Sequence, residues 1–114
     1  IGSFQAVKHH LADAFVAAEF ARPLVWRAAY SVARRLDTAE RDVSAAKAAA
    51  SDAARRIAEI ALRVHGAIGY TREADLHLWL AKAWTLSRAW GGASWHRQRV
   101  AAAVVDRGET VRVP

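Results

Sequence analysis

Apolar residues that recur every three or four positions, in a chain rich in alanine, constrain the fold of this sequence more than any other feature. Alanine fills 28 of the 114 positions, against two prolines and six glycines. Alanine is the strongest intrinsic helix former, and its small side chain lets helices approach closely. No alternation typical of β-strands extends over a useful length. The sequence therefore predicts an all-α fold.

The first half of the chain predicts two long helices. The first begins with Ser3 as its N-cap and ends near Leu36, with a kink or break at Pro23 because proline removes a hydrogen bond and crowds the preceding turn. The second runs from Asp42 or Ser44 to His65. Residues at alternating spacings of three and four predict one buried face on each helix. These residues are Phe4, Val7, Leu11, Ala14, Ala18, Ala21, Val25, Ala28 and Val32 in the first, and Ala46, Ala50, Ala53, Ile57, Ile60 and Val64 in the second.

The second half predicts two shorter helices. A third helix begins after Asp75 and is terminated by the glycines at 91–92, and a fourth runs from Ala93 or Ser94 to Val105. Their packing residues are Leu76, Trp79, Leu80, Ala83, Ser87 and Trp90 in the third and Trp95, Val100, Ala103 and Val104 in the fourth. Residues 106–114 are expected to be irregular. Four helices with short connections favour an antiparallel four-helix bundle, a single domain over residues 1–114.

Composition narrows the classes of function. The net charge is +6, with 14 arginines and three lysines, but the arginines are spread along the chain without a basic arm. A nucleic-acid site needs a clustered basic stripe, so that class is the weaker alternative. There is no cysteine for a disulfide, thiolate metal site or nucleophile. No apolar run approaches the roughly 20 residues of a membrane span, and no signal peptide is visible, so we expect a cytoplasmic protein.

Residue types that carry catalysis do not combine into a recognisable site. His9 and Asp13 are four residues apart and could share a metal ion, but two ligands are too few, and a partly exposed pair is the preferred interpretation. A di-iron bundle needs carboxylates from all four helices, whereas the middle helices offer only Glu59 and Asp75. No metal site, nucleophile elbow or triad is predicted. The serines are interpreted as caps or small packing residues, and the five tryptophans as core or interface residues rather than cofactor contacts.

A glycine-containing loop after the second helix is the strongest candidate for binding. Gly66 and Gly69 enclose Ala67 and Ile68, directly after a predicted helix end. A Gly-x-x-Gly spacing is weak by itself because helices often end at glycine. Glycines can also let a backbone approach a flat or phosphorylated ligand closely.

The residues around this loop and at the start of the chain resemble the acyl-CoA dehydrogenases. Residues 1–13, IGSFQAVKHHLAD, are similar to the family's F-G-x-P-I-x-x-F-Q-x-x-x-x-x-L-A-D stretch. Residues 64–71, VHGAIGYT, resemble its Q-x-x-G-G-x-G-Y-T loop, and residues 72–80, READLHLWL, resemble a W-E-H-D-L-H form of many actinobacterial members. The stretches follow in the family's order and spacing over nearly the whole chain.

The resemblance implies a part of a larger subunit. Such subunits have an N-terminal helical domain, a central β-domain and a C-terminal four-helix bundle, and this chain, which begins at Ile1 rather than Met, would be the last of these. The reaction it implies is α,β-dehydrogenation of an acyl-CoA, with FAD as hydride acceptor and an electron-transferring flavoprotein as the partner that receives electrons. The bundle would form the core of a homo- or hetero-oligomer and border the FAD of the neighbouring subunit. By position, the expected FAD contacts are Ile1, Phe4, Gln5, Arg63, Val64, His65, Gly66, Ala67 and Gly69.

The chain departs from the family pattern at three positions. Arg63 replaces the loop glutamine and Ala67 replaces the second glycine, and Arg63 could pair with a pyrophosphate. The catalytic glutamate of many members falls about 24 residues after the first loop glycine, where this chain has Trp90 followed by Gly91. No catalytic residue is therefore predicted in this chain. Either the base lies on an upstream helix, or the subunit is non-catalytic, similar to those in heterotetrameric enzymes of actinobacterial steroid side-chain breakdown. The alternative is a basic helical module for oligomerisation or nucleic-acid binding, without enzymatic activity.

Overall fold

The computed structural model describes residues 2–106, which form four α-helices and one short 3-10 helix. Helix α1 spans Gln5–Ala33, α2 Ala39–His65, α3 Leu76–Arg88 and α4 Ala93–Asp106, and the 3-10 helix spans Gly66–Tyr70. No strand occurs among residues 2–106. The all-α, four-helix prediction is confirmed.

Helix α2 is the central element, because α1, α3 and α4 each pack against it. Small residues make the close contacts. Most of the buried apolar residues are alanines, and the group comprises Ala21, Ala28, Ala46, Ala48, Ala58, Ile60, Leu80 and Ala93. Side-chain contacts also tie the shorter helices to α2. Lys47 Nζ donates a hydrogen bond to the Leu86 carbonyl at 2.8 Å near the end of α3, and Arg97 of α4 pairs with Asp52 of α2.

The corner between α1 and α2 is built around the carboxylate of Asp42, which is 8% exposed. Its Oδ2 accepts hydrogen bonds from Ser31 Oγ at 2.6 Å, from Thr38 Oγ1 at 2.9 Å and from Arg27 Nε at 3.0 Å. Its Oδ1 accepts from Arg41 at 3.1 and 3.2 Å. The cluster joins α1, the connection and the first turn of α2. We call these five residues the Asp42 cluster.

Several helix boundaries differ from the sequence prediction. Phe4, not Ser3, caps α1, and it makes no side-chain capping bond. Helix α1 runs without a break through Pro23, which lies on the exposed side, where water can bind the carbonyl that proline leaves without a partner. Helix α2 begins at Ala39, earlier than predicted, because Thr38 and Asp42 bond across its first turn. Asp106 belongs to α4 rather than to an irregular tail, and residues 107–114 lie outside the described residues.

The predicted buried face of α1 is only partly correct. Ala21 and Ala28 are buried, but Phe4, Leu11, Val25 and Val32 are exposed. The reason is that α1 packs mainly against one helix, α2, so a narrow strip of small residues is enough to fill the contact. On α2 the predicted face holds, since every residue of it is buried or half-buried.

Candidate functional site

The glycine loop after α2 is a tight 3-10 turn whose two glycines have different roles. Gly66 ends α2 with φ +62°, a left-handed conformation that favours glycine, as predicted for a helix end. Gly69 is buried, and a Cβ there would lie 2.9 Å from the Cβ of His65 and 3.3 Å from the Leu62 carbonyl. Ala67 is exposed and its φ is not positive, so the turn accepts a side chain at this position.

The last turn of α2 presents polar groups beside this loop. Arg63 is exposed and has no ion-pair or hydrogen-bond partner among the described residues. The exposed His65 ring places Nδ1 2.8 Å from the Ala61 carbonyl, so it donates from Nδ1 to its own helix and keeps Nε2 free to accept. Val64 is half-buried. A free guanidinium next to an exposed glycine turn is suited to bind a phosphate group.

The antiparallel register of α1 and α2 places the start of α1 at the same end of α2 as this loop. Two ion pairs show the register: Arg27 with Asp42, and Asp13 with Arg56 at 3.7 Å. Continued along both helices, the same register brings Gln5 level with Val64. Gln5 and Phe4 are both exposed there. The structure thus brings the two described groups of predicted FAD contacts to one end of the α1–α2 pair, whereas Ile1 lies outside the described residues.

Trp90, where the resemblance led us to expect the catalytic glutamate, lies in a strained turn between α3 and α4. Helix α3 ends at Arg88, earlier than predicted, and Trp90 and Gly91 follow with φ of +56° and +100°. The Trp90 side chain is 82% exposed. Its carbonyl oxygen lies 3.0 Å from Nε2 of the buried His96 in the first turn of α4. No carboxylate lies within the turn itself.

A cleft of about 300 Å³ next to this turn contains a carboxylate that the sequence did not indicate. Glu40, at the start of α2, lines the cleft together with Trp90, Trp95, His96 and Arg99. Glu40 is strongly exposed, and its Oε2 lies 3.5 Å from the Arg99 guanidinium. That guanidinium also stacks over the Trp95 ring, 4.8 Å from its centroid. Because Glu40 lies 50 positions before Trp90 in the sequence, no local motif could have revealed this proximity.

The glycine loop and the Trp90 turn lie at opposite ends of α2. The loop follows His65, whereas the cleft at the Trp90 turn is lined by Glu40 and Val43. At 1.5 Å per residue, the helix between Val43 and Val64 separates the two ends by about 30 Å. The structure therefore does not bring the predicted FAD contacts together with Trp90 in a single pocket of this chain.

Between α2, α3 and α4 lies a second cavity, of about 910 Å³, with a basic lining that the sequence analysis missed. Arg55, Arg88 and Arg97 line it, together with Trp84 and the first residues of α4. Arg55 and Arg97 share the carboxylate of Asp52, whereas Arg88 has no ion pair among residues 2–106. The three arginines come from three different helices, so only their packing reveals the cluster.

The five tryptophans do not form the core of the chain. All five are among the exposed large hydrophobic residues, so the prediction of core placement is wrong, and interface placement stays a prediction. Their exposure follows from the packing, since the alanine-lined contacts with α2 leave no room for an indole. His9 and Asp13 are also exposed, and within residues 2–106 no three histidine or carboxylate side chains are grouped as metal ligands.

Comparison with known proteins defines the class to which this arrangement of helices belongs. Residues 1–105 match the family described as "Acyl-CoA dehydrogenase, C-terminal domain", so the chain belongs to that family. In three dimensions it matches a chain of the ChsE4-ChsE5 complex from Mycobacterium tuberculosis with a TM-score of 0.82 and 33% identity, covering 96% of this chain and 29% of that one.

Individual relatives support the same assignment. The chain is 36% identical over 83 residues to the acyl-CoA dehydrogenase IpdE2 of Mycobacterium tuberculosis, covering 73% of this chain and 24% of the relative. It is 33% identical over 107 residues to the 3-sulfinopropanoyl-CoA desulfinase of Paraburkholderia xenovorans, covering 94% and 27%. It is 39% identical over 104 residues to the acyl-CoA dehydrogenase FadE34 of Mycobacterium tuberculosis, covering 90% and 14%. The chain thus spans about a quarter or less of these relatives. Within residues 2–106, no helix is long and apolar enough to cross a membrane.

Proposed function

We propose that this chain is the C-terminal domain of a flavin-dependent acyl-CoA dehydrogenase subunit, and that it borders the FAD of a neighbouring subunit without supplying the catalytic base. The observation that carries the proposal is the glycine loop with the Arg63 guanidinium, which has no partner among residues 2–106, at the end of α2 remote from the Trp90 turn. Membership of the family supports it. Electrons would leave to an electron-transferring flavoprotein, and the complete protein would be cytoplasmic.

The residues at the glycine loop fit a pyrophosphate or ribose group. Gly66 is exposed, and nothing lies within 4 Å of the position of a Cβ on it, so a ligand can approach the backbone there. Arg63 can bind a phosphate oxygen through two N–H groups. When bound, FAD would supply the hydride acceptor, and the role of this loop would be to hold the cofactor's adenosine-diphosphate end. The separation of about 30 Å from the Trp90 turn is consistent with a cofactor that belongs to another subunit's reaction centre.

The exposed aromatic face of α1 supports a role in oligomerisation. Phe4, Leu11, Phe15 and Trp26 are separated by seven, four and eleven positions, which places them on one side of the helix. All four are exposed. Large apolar patches on a protein surface mark interfaces. The name of the structural neighbour, a ChsE4-ChsE5 complex, agrees with assembly from two kinds of subunit.

The role of Arg63 is tested by measuring FAD binding in the intact protein that carries this chain. In Arg63→Gln the FAD dissociation constant should rise about tenfold, the effect of losing one charge-assisted hydrogen bond. The control is Arg88→Gln, which removes another guanidinium without an ion pair among residues 2–106, in the cavity that Arg55 lines, and should leave the constant unchanged. Equal effects of the two substitutions would contradict a specific contact at the loop.

The absence of a base from this domain is tested with Glu40, a carboxylate that lines the same cleft as Trp90. A general base contributes about 10²- to 10⁴-fold to the rate. Acyl-CoA dehydrogenation by the intact protein, assayed with its partner subunit present, should change less than about threefold in Glu40→Gln, well below that range. A hundredfold loss of kcat, with FAD still bound, would assign the base to Glu40 and overturn this part of the proposal.

The alternative of an oligomerisation module without enzymatic activity is distinguished by the flavin itself. The intact protein, purified with and without its partner subunit, should carry flavin absorbance in at least one of the two states. Absence of flavin from both preparations, with an intact oligomer, would leave only the structural role.

A further inference from the structure

The Trp90 turn has a backbone conformation that a tryptophan rarely adopts. Positive φ values are uncommon outside glycine, and for a bulky residue such a value marks strain. Trp90 nevertheless has φ +56° and is followed by Gly91 at +100°. Gly91 cannot be replaced without movement, because a Cβ there would lie 2.7 Å from the ring of Trp95 and 3.2 Å from Nε2 of His96. Strain of this kind persists only where surrounding contacts hold it.

The side chain of Trp90 does not provide those contacts. It is 82% exposed and therefore adds little to the packing of this chain. The contact that does hold the turn comes from His96, which is 6% exposed and lies on the first turn of α4. Its Nε2 is 3.0 Å from the Trp90 carbonyl oxygen, and its ring packs edge-on against Trp95 with centroids 4.7 Å apart.

The chemistry of this contact determines the proton position on His96. A carbonyl oxygen can only accept a hydrogen bond, so Nε2 must carry the hydrogen and donate it. Nδ1 is then an acceptor in the neutral ring, and it is buried without a hydrogen-bond partner among the described residues. A buried acceptor without a partner is unfavourable, so we attribute the position of the ring to the hydrogen bond that Nε2 donates and not to a contact of Nδ1.

We propose that His96, in its Nε2–H tautomer, is a positioning residue that fixes the left-handed Trp90–Gly91 turn and thereby holds the Trp90 indole outward. The place of that indole rests on the proposed function: Trp90 falls at the sequence position that the resemblance assigns to the catalytic glutamate of many family members. Held there by His96, the indole forms a fixed apolar wall of the acyl-CoA site instead of a base. The tautomer and the turn conformation do not depend on the proposed function.

The first measurement needs no substitution. Nitrogen-15 NMR of the intact protein, labelled at histidine, reports which ring nitrogen carries the hydrogen, and the signal that disappears in His96→Gln is that of His96. At neutral pH we expect His96 to be the Nε2–H tautomer. A predominant Nδ1–H tautomer would overturn the proposal, because Nε2 could not then donate to the Trp90 carbonyl.

The second measurement is amide hydrogen exchange at the two hydrogen-bonded amides that border the turn: Ala89, which donates to the Thr85 carbonyl at 3.0 Å, and residue 96, which donates to the Gly92 carbonyl at 3.2 Å. His96→Leu removes the donor, and exchange should become about tenfold faster, the effect of one hydrogen bond near the top of the usual range. His96→Gln retains an N–H donor of similar reach and should restore exchange to within about threefold of the original, as expected if the lost bond is the cause. Equal acceleration in both variants would show that His96 only fills space. If His96→Leu fails to fold, the exchange rates of His96→Gln and the tautomer measurement still test the positioning role of His96.

The third measurement addresses the role of the indole. Trp90→Ala leaves the His96 bond in place, so the amides of Ala89 and His96 should keep their original exchange rates, while acyl-CoA binding to the assembled protein should weaken about tenfold because the apolar wall is lost. Unchanged acyl-CoA affinity would contradict the proposal that the Trp90 indole forms an apolar wall of the acyl-CoA site. A protein that shows the Nε2–H tautomer but never binds flavin or acyl-CoA would remove the proposed function and leave the positioning role of His96.

Discussion

Replacement of Asp42 by asparagine tests whether one buried carboxylate fixes the corner between α1 and α2. In Asp42→Asn the side chain keeps its shape and one carbonyl oxygen, but it loses its charge and faces its former donors with an NH₂ group. Ser31, Thr38 and Arg27 all donate to Oδ2. At most one of the two carboxylate positions can still accept, so some of these donors lose their partner.

The size of the effect follows from the burial of each partner. Hydrogen bonds to a charged group contribute about 1.5–3 kcal/mol each, and removal of one member of a buried ion pair costs about 3–5 kcal/mol. Asp42 is 8% exposed, but Arg27 is 54% exposed, so its guanidinium regains water when the carboxylate is lost. We therefore expect a loss of about 2–3 kcal/mol, below the value for a fully buried pair.

The same residue makes stability depend on pH. Burial by itself would raise the pKa of Asp42, but hydrogen bonds from Ser31, Arg27, Thr38 and Arg41 outweigh it and hold the pKa well below its usual range. In the unfolded chain the pKa is about 3.9. The stabilisation is complete above that value and is lost as pH falls below it toward the lower folded pKa, because only the unfolded state then takes up a proton. The difference between the original protein and Asp42→Asn should be constant from about pH 7 to 5 and shrink below about pH 4.

Amide hydrogen exchange of residues 28–46 in the intact protein measures the loss of stability in Asp42→Asn at the corner between α1 and α2. A loss of 2–3 kcal/mol corresponds to exchange faster by about 30- to 150-fold. The matched control is Asp13→Asn, since Asp13 also joins α1 to α2 through an arginine, but it is 59% exposed and 3.7 Å from its partner. An exposed pair of this kind contributes at most about 1 kcal/mol. Equal effects of the two substitutions would refute the reasoning from burial.

Two further substitutions test the loop and the outer face of α1. Gly69→Ala should destabilise the protein by about 1–3 kcal/mol in thermal melts, because the new Cβ would lie 2.9 Å from that of His65. The control is Gly92→Ala, because nothing lies within 4 Å of the added Cβ there. An equally large loss of stability in Gly92→Ala would contradict the steric argument. Phe15→Glu should leave helix content unchanged but shift the intact protein toward smaller species in sedimentation, since it puts a charge in an exposed apolar stripe. Gln98→Glu, at an exposed position of α4, should not shift it, and an unaltered sedimentation profile for Phe15→Glu would exclude this face as the interface.

The family and the helix order could be predicted because they depend on local signals. The spacing of alanines on α2 sets its buried face, and Gly66 ends that helix by its backbone conformation. The motifs that resemble acyl-CoA dehydrogenases are contiguous in the chain, so they are visible without a fold, and the match over residues 1–105 confirms the family. The FAD contacts and the interface role of the tryptophans stay predictions.

The features that the sequence analysis missed depend on residues far apart in the chain. Glu40 and Trp90 meet because α4 and the turn before it pack against the start of α2. His96 was only an isolated histidine in the sequence, and its contact with the Trp90 carbonyl is visible only in the structure. Part of the exposed aromatic face of α1 was assigned to the core, because the periodicity of apolar residues identifies an apolar face without showing what packs against it.

The sequence by itself determined that this chain is helical, where most of its helices begin and end, and to which family it belongs, because propensity, periodicity and contiguous motifs are properties of neighbouring residues. Only the tertiary structure decided that α2 is the central helix, that Asp42 is held by donors from two helices and their connection, and that the glycine loop and the Trp90 turn lie at opposite ends. The physical reason is that burial and charge pairing depend on distances in space. Packing sets those distances between residues that the sequence separates.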